Sequence, residues 1–253
     1  MHAFPDDSSR LPHSRARLSE FLSPTPADFD FFVSLAGPLQ EVARHRPIRR
    51  EGDHPQSLYL LVEGWALSSA TLPDGGRQIL KVHLPGDILG SPSIALEAAA
   101  ETLTAITPVK LRTISLAAFG SLFTQSPRLA ALMFLSAQQE RLILMDRLCS
   151  VGRTSAECRL AAFLVHLHDR LKVLQPDLGS RFEHPLTQEQ IGDVLGLTSV
   201  HVNRVFRTLE DKKLIVRDGH GVDLLDVPAL RKMGGVPMRV PARDLSWLPS
   251  PPD

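Results

Sequence analysis

Residues 186–214 read LTQEQIGDVLGLTSVHVNRVFRTLEDKKL and spell two short helices joined by a tight turn. Thr187 can N-cap the first helix, and Gln190 three residues on completes a capping box. Ile191, Val194 and Leu195 then share one helical face. Gly196 stops that helix, because glycine tolerates the left-handed conformation a sharp end needs. Thr198 or Ser199 caps the second helix. Val202, Val205, Phe206 and Leu209 follow the i, i+3, i+4, i+7 spacing of a buried stripe. The positions left outside are Ser199, Val200, His201, Asn203, Arg204 and Arg207. Donors, acceptors and one methyl-bearing residue at a helix N-terminus suit the edge pattern of a DNA major groove.

A helix pair with a glycine turn is also a common structural unit. The next segment favours the nucleic-acid reading. Residues 214–225, LIVRDGHGVDLL, read as strand, turn and strand, a hairpin wing directly after the second helix. Together with the trailing LEDKKLI, the segment resembles the winged helix-turn-helix of the CRP/FNR family of bacterial transcription regulators.

Upstream, residues 46–116 alternate short β-rich runs with turn signals at Glu51-Gly52-Asp53, Glu63-Gly64, Pro73-Asp74-Gly75-Gly76 and Pro85-Gly86-Asp87. Such spacing suggests an antiparallel barrel or roll. LYLLVEGWA, DGGRQILKVHLPGDILG and KLRTIS resemble, in order, the sensor β-roll of the same family, so the resemblance spans about residues 29–226. The fold class expected is α+β. It comprises a flexible extension (1–27), an N-terminal antiparallel β-roll (28–126), a long dimerisation helix (127–152), a winged helix-turn-helix (153–230) and a proline-rich tail (231–253). Residues 28–45 look helical, with an interruption near Gly37-Pro38. Leu160, Phe163, Leu164 and Leu167 lie on the apolar side of a helix resembling the first of the family's DNA-binding domain.

In the long helix, Leu135, Gln138, Leu142, Met145 and Cys149 form a heptad seam in which Gln138 can fix register. The alternative is a helix packed on its own domain, a purpose Leu132, Ile143 and Leu148 could serve. The family resemblance implies that this helix pairs with its twin in a homodimer. Cys149 would then meet its counterpart near the two-fold axis. It is either a redox switch forming a symmetric disulfide or a small apolar seam residue.

The cyclic-nucleotide-binding members carry a glutamate and an arginine in the loop after Pro-Gly-Asp. Here that loop is GSPSIALEAAAETLTA, residues 90–105. Ser91 replaces the glutamate, and no arginine occurs between Arg77 and Arg112. Glu97 and Glu101 would repel a phosphate. Cyclic AMP and GMP are therefore disfavoured, although backbone amides around Gly90, Ser91 and Ser93 remain a candidate effector pocket. No cysteine precedes Cys149, so the iron–sulfur centre of the oxygen-sensing branch has no ligands. His45, His54 and His83 are isolated, which disfavours haem. No cofactor and no metal site is expected, and the effector, if any, is open. Control by a redox change at Cys149 and control by abundance alone both stay open.

For the DNA contacts, the resemblance maps the reading positions onto Ser199, Val200, His201, Asn203 and Arg204. Arg204 can pair with guanine O6 and N7, or clamp a phosphate. Val200 stands where the family often has a glutamate that reads cytosine, so the family's half-site does not transfer. Thr187 and Gln188, at the start of the first helix, are placed to meet phosphate through backbone amide and side chain.

Composition limits the rest. The 28 basic and 28 acidic residues cancel, so DNA affinity must come from local placement and from doubling of the site. Two cysteines, Cys149 and Cys158, are too few for a disulfide framework. No apolar run approaches the ~18 residues of a membrane span. The first 20 residues lack a signal-peptide core, and a cytoplasmic location is expected. An enzyme built on the roll would need clustered histidines, and His-x-His is absent there. The expected partners are double-stranded DNA, a second copy of the chain and, by resemblance, RNA polymerase, with no membrane.

Overall fold

The computed structural model describes residues 11–20, 23–151, 154–240 and 244–249. The chain divides into two compact units. The first gathers the described residues within Met1–Ala70, Lys81–Gln139 and Pro241–Asp253; the second holds Thr71–Leu80 and Glu140–Val240.

The first unit begins with helices α1 (Pro12–Leu18) and α2 (Pro26–Ser34). Eight strands follow: β1 (Leu39–Val42), β2 (Pro47–Arg49), β3 (Ser57–Glu63), β4 (Ala66–Thr71), β5 (Arg77–His83), β6 (Ile88–Leu89), β7 (Thr102–Ala105) and β8 (Val109–Ser115). They form two four-stranded sheets, ordered β1-β8-β3-β6 and β2-β7-β4-β5. Helix α3 (Leu116–Gln125) and the start of α4 (Pro127–Val151) come next.

Both faces of β3 are covered, which is why its sequence is an almost unbroken apolar run. Leu61 joins Leu89, Leu103, Ala105, Val109 and Leu111 in one core. Leu58 and Leu60, on the opposite face, join Phe29, Phe32, Ile114, Leu122 and Leu129 in another. The β3–β8 register shifts between Leu61 and Glu63, and the chain then turns at Gly64. A Cβ at Gly64 would lie 2.3 Å from the Pro108 carbonyl oxygen, with φ at +85°, so only glycine closes this turn.

Two expectations need correction here. The N-terminal extension is not loosely attached over its described part. Leu11 and Leu18 are buried in the α2–β3 core, and Arg17 Nε lies 3.3 Å from the buried Asp87. The polar letters of PHSRARL hide two core leucines at its ends. Residues 1–10 lie outside the described residues. The helical reading of 28–45 also stops early, because Leu39–Val42 pairs with β8. A free strand edge outweighs local preference there.

The second unit contains the rest of α4, then α5 (Ala156–Leu174), β9 (Arg181–Glu183), α6 (Gln188–Leu195), α7 (Ser199–Asp211), β10 (Ile215–Asp218), β11 (Gly221–Leu224) and α8 (Val227–Gly234). The wing is a three-stranded sheet, β10-β11-β9. Its third strand, only three residues long, was not legible in the sequence. Helix α8 crosses the expected boundary at 230. A Cβ on Gly234 would lie 2.7 Å from the Ala162 backbone nitrogen, so α8 sits close against α5. Within this unit the half-buried Arg147 donates to the Val194 carbonyl at 2.9 Å, and Arg77, on the first half of β5 that belongs to this unit, donates twice to Asp193, at 2.8 and 2.5 Å.

The tail is not wholly unattached. Val236 and Leu248 are buried, while Trp247 is exposed. Arg239 pairs with Asp146 through two contacts, at 2.5 and 2.7 Å. Among the described residues no helix is long and apolar enough to cross a membrane.

Candidate nucleic-acid interface

Local chemistry positions α6 and α7. Thr187 Oγ1 accepts from the Gln190 amide at 3.1 Å, and Gln190 Oε1 accepts from the Thr187 amide at 2.9 Å. Gly196 takes φ +67° at the end of α6. Inside α6, a Cβ on Gly192 would lie 2.4 Å from the Leu197 carbonyl oxygen, so the turn needs glycine at both places. Thr198 caps α7, its side chain accepting from the His201 amide at 3.3 Å. Val202, Val205, Phe206 and Leu209 are buried.

The opposite face of α7 is bare. Ser199, Val200, Arg204 and Arg207 are exposed, and His201 and Asn203 are half-buried. Val200, at 80% exposure, is an apolar side chain left in water. The side chains of Arg204 and Arg207 bond to no described residue. Free guanidinium groups on a helix face are what phosphate or guanine would take up. Thr187 and Gln188 are exposed at the start of α6. The Thr187 amide, however, is spent on Gln190, so the phosphate contact expected through it is not available. The Thr187 hydroxyl proton and Gln188 are left for that purpose.

Arg217 is a functional candidate that the sequence pattern did not reveal. It lies on the wing strand β10, donates to Glu210 at 3.0 and 2.8 Å, and reaches Asn203 Oδ1 at 3.5 Å. Its guanidinium carbon sits 4.4 Å from the centroid of the Phe206 ring. The Arg217 bond holds the Glu210 carboxyl below its usual range. Nothing in VRDG announces these partners, which only the return of the wing onto α7 brings together. Behind the wing, burial drives the His184 imidazole down to about 4, helped by the nearby His220. His184 is therefore neutral at physiological pH.

In the roll, the candidate effector loop is turned inward. Gly90, at φ +88°, caps a single 3-10 turn, Ser91–Ser93. Ser91 is exposed, but Ser93 is fully buried. Ser93 Oγ donates to Glu101 Oε2 at 2.5 Å and accepts from the Ala100 amide at 3.1 Å. Glu101 Oε1 accepts from Arg49 Nη2 at 2.5 Å, with both side chains 4% exposed. An arginine does therefore reach this loop, from β2 and 52 positions away, but it is already paired with an internal carboxylate. The Ser93 amide, one of those offered to an effector, donates to the Gly90 carbonyl at 3.2 Å. The buried Glu101 carboxylate engages only Nη2 of Arg49, whose Nε and Nη1 are buried without a hydrogen-bond partner.

His83 is also occupied, 3.1 Å from Ser68 Oγ and 3.7 Å from Asp87 Oδ2. Among the described residues no three His, Cys, Asp or Glu side chains are grouped to hold a metal. Cys149 is free and exposed on α4. On that helix Leu142 and Met145 are exposed as the seam requires, but so are Phe134 and Leu144. Leu148, which could have served packing on its own domain, is 76% exposed. The bare stripe is therefore turned slightly from the predicted seam.

A winged helix-turn-helix with a bare polar face, joined to a β-roll, defines a DNA-binding regulator architecture. Comparison with known proteins agrees. Residues 158–233 match the Crp-like helix-turn-helix domain, and residues 39–126 match the cyclic nucleotide-binding domain. The chain is 35% identical over 205 residues to the transcriptional activatory protein AadR of Rhodopseudomonas palustris, covering 79% of this chain and 82% of that one. It is 31% identical over 227 residues to the nitrogen fixation regulation protein FixK of Rhizobium meliloti, covering 85% and 92%. The solved structure of FixK2 from Bradyrhizobium japonicum has the same fold, with a TM-score of 0.70 at 24% identity over 78% of this chain and 96% of that one. The chain belongs to the CRP/FNR family of transcription regulators. It is a DNA-binding regulator and not an enzyme.

Proposed function

We propose that the protein acts as a homodimer that binds a two-fold-symmetric promoter site without a cyclic nucleotide. The observation that carries the reading is the bare face of α7, where Arg204 and Arg207 have no bonded partner among the described residues. Ser199, Val200, His201, Asn203 and Arg204 read bases, and Arg207, Gln188 and the Thr187 hydroxyl meet phosphate.

Dimerisation is supported by α4. Phe134, Leu142, Leu144, Met145 and Leu148 leave apolar surface in water along one helix, and a second copy would cover it. Two recognition helices related by a two-fold axis read a palindrome. Leu148→Asp should turn the dimer into a monomer in sedimentation and weaken binding to a two-half-site duplex. A monomeric wild-type protein at micromolar concentration would refute this part.

Control by abundance is favoured over control by a ligand. The Glu101 carboxylate held by Arg49 Nη2 and Ser93 would repel a second anion in this loop, while Arg49 Nε and Nη1 are buried without a hydrogen-bond partner. Binding of the selected duplex, measured with and without cyclic AMP, should give the same affinity. Contact with RNA polymerase and a cytoplasmic location accompany this role.

A further inference from the structure

The wing does more than flank the recognition helix; one of its side chains reaches the reading face. Arg217 has three anchors: the Glu210 carboxylate at 2.8 and 3.0 Å, the Phe206 ring beneath it, and Asn203 Oδ1 at 3.5 Å. An arginine only donates, so the asparagine atom that faces it is the carbonyl oxygen and not the amide nitrogen. Oδ1 and Nδ2 leave the same planar carbon in different directions. With Oδ1 turned toward Arg217, Nδ2 is the end of the amide that no described residue bonds.

We propose that Arg217 is a specificity-determining positioning residue that decides how Asn203 reads its base. Asparagine pairs with adenine by two bonds, accepting from N6 and donating to N7, and needs both ends of its amide turned outward. The Arg217 bond takes one lone pair of Oδ1 and fixes its direction, so the end that Asn203 offers freely is the Nδ2 donor. It therefore favours a base presenting acceptors, guanine through O6 and N7 or thymine through O4, over adenine, whose N6 donor is left without its acceptor, and rejects cytosine, whose groove edge presents a donor. The inference rests on the proposed entry of α7 into the major groove.

The test uses the purified full chain. The preferred duplex is selected from a random pool, and every base pair of its half-site is replaced in turn. The pair whose replacement ceases to matter in Asn203→Ala is the one Asn203 reads. At that pair the wild-type protein should bind guanine or thymine at least about fivefold more tightly than cytosine. Arg217→Met keeps the stem over Phe206 but releases Asn203, and should shift preference toward adenine by a similar factor. Arg217→Lys, which keeps the charge but not the fork, should shift it the same way and serves if the methionine variant does not fold. Adding Arg217→Met to Asn203→Ala should change base preference no further.

Equal weakening on all four bases, with their ranking unchanged, would make Arg217 a phosphate or structural clamp and overturn the proposal. So would adenine ranking first in the wild-type protein, or the absence of any pair that depends on Asn203. A wild-type protein that enriches no sequence would refute the DNA reading itself, an outcome distinct from enrichment that Arg217 leaves unmoved.

Discussion

The recognition helix and the effector loop of the roll are built from similar residue types and use them in opposite ways. On α7, Arg204 and Arg207 stand exposed with no described residue bonded to them. In the loop, Arg49, Ser93 and Glu101 are buried and bonded to one another. An exposed unpaired cation costs little in water and remains available to a partner. A buried one must be paired, and Glu101 supplies that pairing through Nη2 of Arg49. The difference separates cations left open on a surface from a cation held inside the roll.

The largest test falls on the loop. Glu101→Ala leaves Arg49 buried without its carboxylate, which should cost about 3–5 kcal/mol of stability in denaturant unfolding. A loss near zero would mean that the loop is open to solvent and still available to a ligand.

Acid should act next, on the buried His184 behind the wing. The folded-state value of His184 is depressed to about 4 from 6.5, so the unfolded chain binds the proton first. Stability from this group is complete above pH 6.5 and is lost as pH falls toward 4. Linkage puts the loss at roughly 3 kcal/mol. Melting curves from pH 7 to 4.5 should show the decline, and His184→Phe should flatten it. An unchanged slope would place His184 in water.

On α7 the expected effect is on binding alone. Arg204→Ala should lower affinity for the selected duplex by about 1–3 kcal/mol and leave the melting temperature unchanged. A folding defect would blur the distinction between the two regions. Curves on cognate and scrambled duplexes that fall in parallel would assign Arg204 to phosphate. Smallest is Thr187→Ala, which removes a cap from α6 and should cost about 1 kcal/mol of stability, seen as a lower denaturant midpoint.

What was legible in the sequence was local. The Thr187–Gln190 box, the Gly196 stop and the Val202–Leu209 stripe are set by neighbours within a few residues, and the structure has them as read. The pairs that give the site its character are distant. Arg49 and Glu101 are 52 positions apart, and Arg217 reaches Asn203 across 14. On α4 Leu142, Met145 and Cys149 are exposed as read, but so are Phe134, Leu144 and Leu148, because RLILMDRL is apolar on several sides and periodicity alone does not choose which side faces out. Helix α1 was missed because its core contacts, Leu11 and Leu18, sit at the ends of a polar segment.

The central claim is that this chain reads a DNA sequence with no small effector. Binding of the purified protein to its selected palindrome and to a scrambled duplex, at physiological salt and with nothing added, tests it directly. The account predicts roughly 10³-fold or greater discrimination. Equal affinity for the two duplexes, or discrimination that appears only when a cyclic nucleotide is added, would contradict it.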